Sequence, residues 1–118
     1  MITALAATAA FCAVALGAFG AHGLEGKVDA KALGWWETAT LYLLTHAIAA
    51  LAIGLSGRSG LIQTGGVTLL AGAVLFAATL YAMTLGAPRW FGAITPLGGV
   101  TMLIGWGLVA FAAFRASN

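Results

Sequence analysis

Four long apolar runs constrain this chain of 118 residues more than any other feature of its sequence. They cover residues 2–23, 35–55, 61–86 and 96–114. A helix needs about 20 apolar residues to cross a hydrocarbon core of roughly 30 Å, and each run approaches or exceeds that length. The strict alternation that is typical of strands is absent, and open strands would leave backbone groups unpaired in lipid. The sequence therefore predicts an all-α integral membrane protein.

The short breaks between the runs indicate how the helices are arranged. A tight turn such as residues 56–60 brings the helices on either side of it together as antiparallel neighbours. We therefore expect an antiparallel four-helix transmembrane bundle that forms a single domain over residues 1–118. The break at residues 24–34 is the most highly charged, and we interpret it as a polar loop that is able to form a short surface helix.

The scarcity of charge excludes a water-soluble fold. Charged residues make up 7% of the chain and hydrophobic residues 62%, whereas ordinary soluble domains carry about 25% charged residues. A soluble domain of this composition would expose large apolar patches, which soluble monomers avoid. The net charge of +2 comes without a basic cluster, so nucleic acid is not an expected partner.

Aromatic residues stand next to two of the breaks. Trp35, Trp36 and Tyr42 occur at the predicted start of the second span, and Trp90 and Phe91 precede the fourth. Tryptophan and tyrosine favour the headgroup level of a membrane. Because the first and third loops of a four-span bundle lie on the same side, we expect these aromatics to mark one membrane surface.

Small residues recur at helical spacing on three of the spans. They are Ala9, Ala13, Gly17 and Ala21 on the first span, Thr68 and Gly72 on the third, and Thr101 and Gly105 on the fourth. Small residues allow helix backbones to approach closely in lipid, where packing holds helices together. We expect these stripes to pack tightly, either within the chain or between copies of it.

His46 is the strongest candidate for a functional residue. With Trp35, Ala39 and Tyr42 it follows the spacing of a single helical face. If the span begins near Trp35, His46 lies roughly 16 Å deep, where an ionisable group is costly and usually faces the bundle interior. It is then either a proton-responsive group with Tyr42 beside it, or a neutral histidine that bonds to a tyrosine, a threonine or a backbone carbonyl.

His22 ends the first span, which at about 31 Å brings it to the membrane interface. We expect a structural role there, with a ring N–H bonded to a loop carbonyl. The depths of His22 and His46 should differ by roughly 16 Å, whereas the ligands of a zinc ion lie about 2 Å from it. We therefore expect no metal site within one chain, and no cofactor.

Glu37 and Arg89 complete the set of candidate polar residues. We expect Glu37 to pair with Arg89 or Lys31 on the same side of the membrane, although a surface pair contributes at most about 1 kcal/mol. The sequence contains no serine, histidine and carboxylate at matching depths, and no glycine-rich phosphate loop. Enzyme activity is therefore not expected.

Several short blocks occur together in this chain. In order, they are GAFGAH at residues 17–22, the pair Tyr42 and His46, the pair Leu80 and Tyr81, ITPLGG at residues 94–99, and the pair Gly105 and Trp106. Together they resemble a family of uncharacterised small inner-membrane proteins, a domain of unknown function with bacterial members and mitochondrial relatives. The resemblance covers nearly the whole chain. It implies a four-span protein of the inner membrane and carries no established activity, substrate or cofactor.

Three functional hypotheses remain open at this point. The first is a non-enzymatic accessory, assembly or lipid-organising component, whose partners are membrane lipids and either further copies of the chain or a larger membrane complex. The second is a small oligomeric transporter or channel that uses His46 as a proton-responsive group, since histidine titrates near neutral pH. The third is a haem or metal site that His46 residues from two subunits would form.

Overall fold

The computed structural model describes residues 1–117 and contains four long helices. They are α1 (Ile2–His22), α2 (Ala30–Leu55), α3 (Leu61–Thr84) and α4 (Thr95–Ser117). Each is long and apolar enough to cross a membrane, and residues 1–117 contain no strand. The predicted all-α architecture with four membrane spans is confirmed.

The second helix begins five residues earlier than the sequence predicted. Asp29 caps it, because the Asp29 carboxylate accepts a hydrogen bond of 2.8 Å from the backbone N–H of Ala32. Residues 30–34 therefore belong to α2, and residues 24–29 form turns rather than the separate surface helix that we considered. The prediction placed the start at Trp35 because apolar composition marks only the lipid-facing part of a helix. The N-cap marks where the helix begins.

A short 3-10 helix, Arg89–Ala93, lies in the connection between α3 and α4. The turn before it contains Gly86, whose φ of 109° suits glycine and few other residues. As a result α3 ends at Thr84, two residues before the end of the predicted run, and α4 begins at Thr95.

The helices pack in the order of the chain. α3 packs extensively against both α2 and α4, and α1 packs mainly against α2 with a smaller contact to α3. Within residues 1–117, no Cα atom of α1 lies within 8 Å of one in α4. The bundle is therefore open between its first and last helices, and grooves remain between neighbouring helices.

The seam between α3 and α4 is built on glycine. A Cβ atom added to Gly72 would stand 2.7 Å from the backbone nitrogen of Met102, and one added to Gly98 would stand 2.6 Å from that of Phe76. Gly105 faces α3 in the same way, at 2.8 Å from the backbone nitrogen of Leu69. Real Cβ atoms do not come this close, so the two backbones touch directly.

The prediction that small-residue stripes on these two helices pack together was only half right. Gly72 and Gly105 lie in the seam as predicted, but the hydroxyls of Thr68 and Thr101 donate to carbonyls of their own helices. Gly98 lies in the seam instead, seven residues before Gly105. Counting every fourth residue missed it, because the repeat that faces the partner helix spans two turns here.

The contact between α1 and α2 depends on side chains. Gly17 faces the methyl group of Thr40, and Gly20 faces the indole ring of Trp36. Of the predicted stripe on α1, Ala13 is buried and Gly17 lies in the interface, whereas Ala21 is exposed. This contact is therefore less continuous than the glycine seam on the other side of α3.

Candidate functional site

His46 lies on α2 inside the bundle, and its side chain is only 8% exposed. Its Nδ1 atom is 2.8 Å from the backbone carbonyl oxygen of Tyr42, one turn earlier on the same helix. A carbonyl oxygen only accepts hydrogen bonds, so Nδ1 must carry the proton. The prediction that His46 faces the interior is confirmed, and one of its nitrogens is bonded as the structural interpretation expected.

Trp106 on α4 determines the state of the other nitrogen. The indole Nε1 of Trp106 donates a hydrogen bond of 3.0 Å to Nε2 of His46. An indole nitrogen is a donor only, so Nε2 of His46 must accept with its lone pair. The two contacts together define a neutral imidazole with its proton on Nδ1.

The hydroxyl of Thr45 adds a second contact at Nδ1. Its oxygen is 3.1 Å from Nδ1 of His46, and the hydroxyl donates to the backbone carbonyl of Leu41 at 2.8 Å. Since the hydroxyl proton is directed at Leu41, the oxygen is free to accept from Nδ1. This contact favours the same tautomer.

Aromatic rings surround the imidazole. The ring of Tyr42 is stacked against it with centroids 5.9 Å apart and an interplanar angle of 12°, and the Trp106 ring meets it edge-on at 5.7 Å. Phe76 on α3 packs on Tyr42 at 4.8 Å. The shared face of Tyr42 and His46 was predicted, but the tyrosine contributes its ring and carbonyl, and its hydroxyl does not bond to the imidazole.

A cleft of about 410 Å³ runs beside this cluster between α2 and α4. Its lining includes Tyr42, His46, Gly99, Leu103 and Trp106. Apart from the bonded imidazole and indole nitrogens, the cleft wall is largely apolar. His46 therefore bridges two helices whose backbones are not in contact, and in this arrangement it has no lone pair left for a metal ion or haem iron.

Trp106 is the member of this site that the sequence analysis missed. It stands eleven residues into α4, roughly 16 Å from the start of the helix. Tryptophan favours the membrane interface, and a tryptophan in the middle of a span needs an acceptor for its N–H. That unusual depth, matched by the depth of His46, was the available signal.

A second tryptophan, Trp36 of α2, contacts both α1 and α3. The indole N–H of Trp36 donates to the backbone carbonyl of Leu16 at 2.7 Å, and its ring packs on Tyr81 with centroids 4.4 Å apart. The Tyr81 hydroxyl is 2.7 Å from that of Thr40. Trp36 is only 2% exposed, so its ring packs between helices instead of facing the lipid headgroups. Trp36 lies six residues into α2, within the contact with α1.

The remaining candidates lie outside the His46 cluster. His22, Glu37 and Arg89 are all exposed. Among residues 1–117 the predicted pair of Glu37 with Arg89 or Lys31 does not form, and the His22 ring does not make the expected bond to a loop carbonyl. Long polar side chains at a wet membrane surface gain little from being held together, since water competes for them.

The two histidines are far apart, as the sequence predicted. Gly20, close to the end of α1, packs against Trp36. His46 lies ten residues further along α2, which corresponds to about 15 Å. His22 and His46 therefore do not form one site within the chain.

Comparison with known proteins places the chain in a family. Residues 16–99 match the family described as "Protein of unknown function (DUF423)". The chain belongs to this family. The matched region runs from the last turns of α1 to the start of α4 and includes Trp36, Tyr42 and His46, whereas Trp106 lies beyond it.

Related proteins align with this chain over nearly its whole length. The UPF0382 membrane protein YwdK of Bacillus subtilis is 46% identical over 116 residues, which is 94% of each chain. A UPF0382 membrane protein of Staphylococcus saprophyticus is 44% identical over 113 residues, again 94% of each chain, and one of Haemophilus influenzae is 40% identical over 99% of this chain and 95% of its own. No solved structure matches the chain.

These findings confirm the resemblance noted in the sequence. The family consists of membrane proteins of unknown function, and it indicates no enzymatic activity. The chain is a membrane protein with four helices capable of crossing the bilayer.

Proposed function

We propose that this chain is a non-enzymatic accessory component of the bacterial inner membrane, which organises lipid or supports the assembly of a larger membrane complex, including one made of its own copies. Apolar helical spans support the location, because outer-membrane proteins span as barrels. The bacterial relatives, which are named membrane proteins, support it as well.

The observation that carries this proposal is the occupied state of His46. Its two nitrogens are bonded to Tyr42 and Trp106, so this buried ionisable side chain acts as a link between helices. Among the described residues, every buried side-chain nitrogen or oxygen has a hydrogen-bond partner. The interior therefore offers no free polar group to a substrate, and the capacity to bind lies on the outer faces and grooves.

The transporter hypothesis is favoured by one feature, the cleft of about 410 Å³ that borders His46. A proton that enters this cleft can bind to Nε2 only if it displaces the indole N–H of Trp106. Transport would then require the link between α2 and α4 to open in each cycle. The haem or metal hypothesis requires the same displacement, because the iron or metal would need the same lone pair.

The decisive experiment is native mass spectrometry of the chain extracted in a mild detergent, with an absorbance scan and metal analysis of the same sample. We expect a colourless protein that carries bound lipid, a partner protein or further copies of itself. Proton flux is then measured in liposomes that contain the wild type or His46→Ala, with empty liposomes as the control.

Two results would contradict the proposal. One is a bare monomer that retains neither lipid nor partner. The other is proton flux above that of empty liposomes which His46→Ala abolishes, since this would make His46 a transport residue. A haem absorbance band or stoichiometric metal that disappears in His46→Ala would instead support the third hypothesis.

A further inference from the structure

We propose that the groove between α1 and α2 binds a phospholipid with a primary ammonium headgroup, of the phosphatidylethanolamine type, through Glu37 and Glu25. This inference rests on the proposed function, because it names a lipid that the chain would hold. It concerns a part of the molecule that the His46 cluster does not use.

The groove has the size of a ligand site. Its volume is about 540 Å³, within the range of roughly 300–1,000 Å³ that is typical of small-molecule sites. One wall is formed by Gly17, Gly20 and Ala21, whose lack of bulk leaves the space open. The opposite wall is formed by α2, with Leu41 and Leu44 among its residues.

The polar and apolar ends of the groove are ordered along the membrane normal. Trp36 packs against Gly20, which lies two residues before the end of α1. Glu37 is the next residue after Trp36, so the Glu37 carboxylate lies near the membrane surface. Glu25, in the loop after α1, also lines this end. Leu44 lies seven residues beyond Glu37, about 10 Å deeper. A headgroup next to the carboxylates would therefore place an acyl chain along the leucines.

The carboxylates at this end lack a cation from the chain itself. Within residues 1–117 neither Glu25 nor Glu37 forms an ion pair. The nearby Lys31 is directed elsewhere, with its ammonium 5.8 Å from the centroid of the Trp35 ring. Negative charge at the mouth of an apolar groove is complementary to a cationic headgroup and repels an anionic one.

The chemistry of the groove favours a primary ammonium over a quaternary one. A primary ammonium has three N–H donors that two carboxylates can share, and such charge-assisted bonds are roughly twice as strong as neutral ones. A quaternary ammonium is recognised by open aromatic faces. The tryptophan of this groove, Trp36, is buried against Gly20 and Tyr81 and offers no such face.

The test is lipid retention by the intact chain. The protein is reconstituted in nanodiscs with equal amounts of phosphatidylethanolamine, phosphatidylcholine and phosphatidylglycerol, and the lipids that stay bound after release into mild detergent are identified by native mass spectrometry. We expect phosphatidylethanolamine to exceed phosphatidylcholine by about tenfold, as one charge-assisted hydrogen bond implies. Glu37→Gln should remove most of this preference.

Two further variants separate the site from general effects. Asp29→Asn removes a negative charge on the same side of the membrane but keeps the helix cap, since asparagine caps as well as aspartate, and it should leave the preference unchanged. Ala21→Leu narrows the groove without changing charge and should reduce the amount of phosphatidylethanolamine retained. Thermal unfolding of each variant in detergent verifies that it is folded.

Equal retention of phosphatidylethanolamine and phosphatidylcholine would overturn the headgroup assignment, yet the proposed function would stand because lipid is still held. A preference that Glu37→Gln leaves intact, or that Asp29→Asn also removes, would overturn the site. A second copy or a partner protein that covers Glu37 would do the same. A chain that holds neither lipid nor partner would contradict this inference and the proposed function together.

Discussion

The two outer helices of this protein are attached in different ways. α4 lies on α3 through a seam in which Gly72, Gly98 and Gly105 bring backbone against backbone. α1 lies on α2 through side chains, among them the indole of Trp36 over Gly20, and a groove opens beside this contact. A backbone seam excludes any ligand, whereas a contact made by side chains leaves space that a lipid can occupy. Binding is therefore expected on the α1 side.

The strongest test of this difference is to add one methyl group to the backbone seam. In Gly98→Ala the new Cβ would meet the backbone nitrogen of Phe76 at 2.6 Å and the carbonyl oxygen of Gly72 at 2.8 Å. Because backbone atoms cannot turn aside, α3 and α4 must separate, and we expect a loss of about 3 kcal/mol of unfolding free energy. Thermal unfolding in detergent measures it.

The neighbouring Gly99→Ala is the matched control, because no heavy atom lies within 4 Å of its added Cβ. Both variants gain the same helix propensity from alanine, so the difference between them isolates packing. Equal melting temperatures for Gly98→Ala and Gly99→Ala would show that the seam is not a backbone contact.

The corresponding change on the other side is Gly20→Ala. Its Cβ would meet the ring of Trp36, a side chain that can shift towards the adjacent groove. We expect a smaller loss, about 1–2 kcal/mol, which includes the weakened bond from Trp36 to Leu16. Gly34→Ala, where the added Cβ has open space, is the control. A loss as large as that in Gly98→Ala would contradict the contrast between the two contacts.

The link between α2 and α4 should contribute less still. Trp106→Phe keeps an aromatic ring but removes the N–H that donates to His46. Hydrogen bonds between membrane helices contribute about 0.6 kcal/mol on average, and we expect a loss of this order. The exposed Trp90→Phe is the control, measured by the same unfolding assay.

A spectroscopic measurement sharpens the interpretation of the same link. Nitrogen-15 NMR of the wild type in detergent should show His46 as the neutral tautomer with its proton on Nδ1, as the bonds to Tyr42 and Trp106 require. A spectrum with the proton on Nε2 at neutral pH would contradict the geometry of the cluster.

The smallest effect is expected at the threonines of the predicted stripes. The Thr101 hydroxyl donates to the carbonyl of Leu97 on its own helix and does not reach α3. Thr101→Ala should therefore change the unfolding free energy by no more than about 0.5 kcal/mol. Thr79→Ala provides the contrast, since its hydroxyl is 2.7 Å from that of Thr95 and its removal should cost more. The ranking of the two threonines in the unfolding assay checks the assignment.

The position of a residue along its helix could be predicted from the sequence more reliably than its partner could. Apolar length placed His46 well inside the membrane and His22 at its surface, because helix rise converts residue number into distance. The partner of His46, Trp106, is sixty residues away in the chain, and no spacing rule connects the two. The burial of Trp36 was missed for a related reason: its environment is set by the backbone of α1, where Gly20 leaves room for the ring.

The sequence by itself determined that this is a four-span membrane protein of a particular family, since the cost of burying unpaired backbone in lipid leaves apolar runs of this length one solution. The tertiary structure alone decided that α1 and α4 stay apart, that His46 has both nitrogens occupied, and that Glu37 lies at the mouth of a groove. Helix spans follow from local composition, whereas helix neighbours depend on how surfaces fit together. The helices are apolar on the faces towards lipid and towards each other, so close packing determines which helices become neighbours.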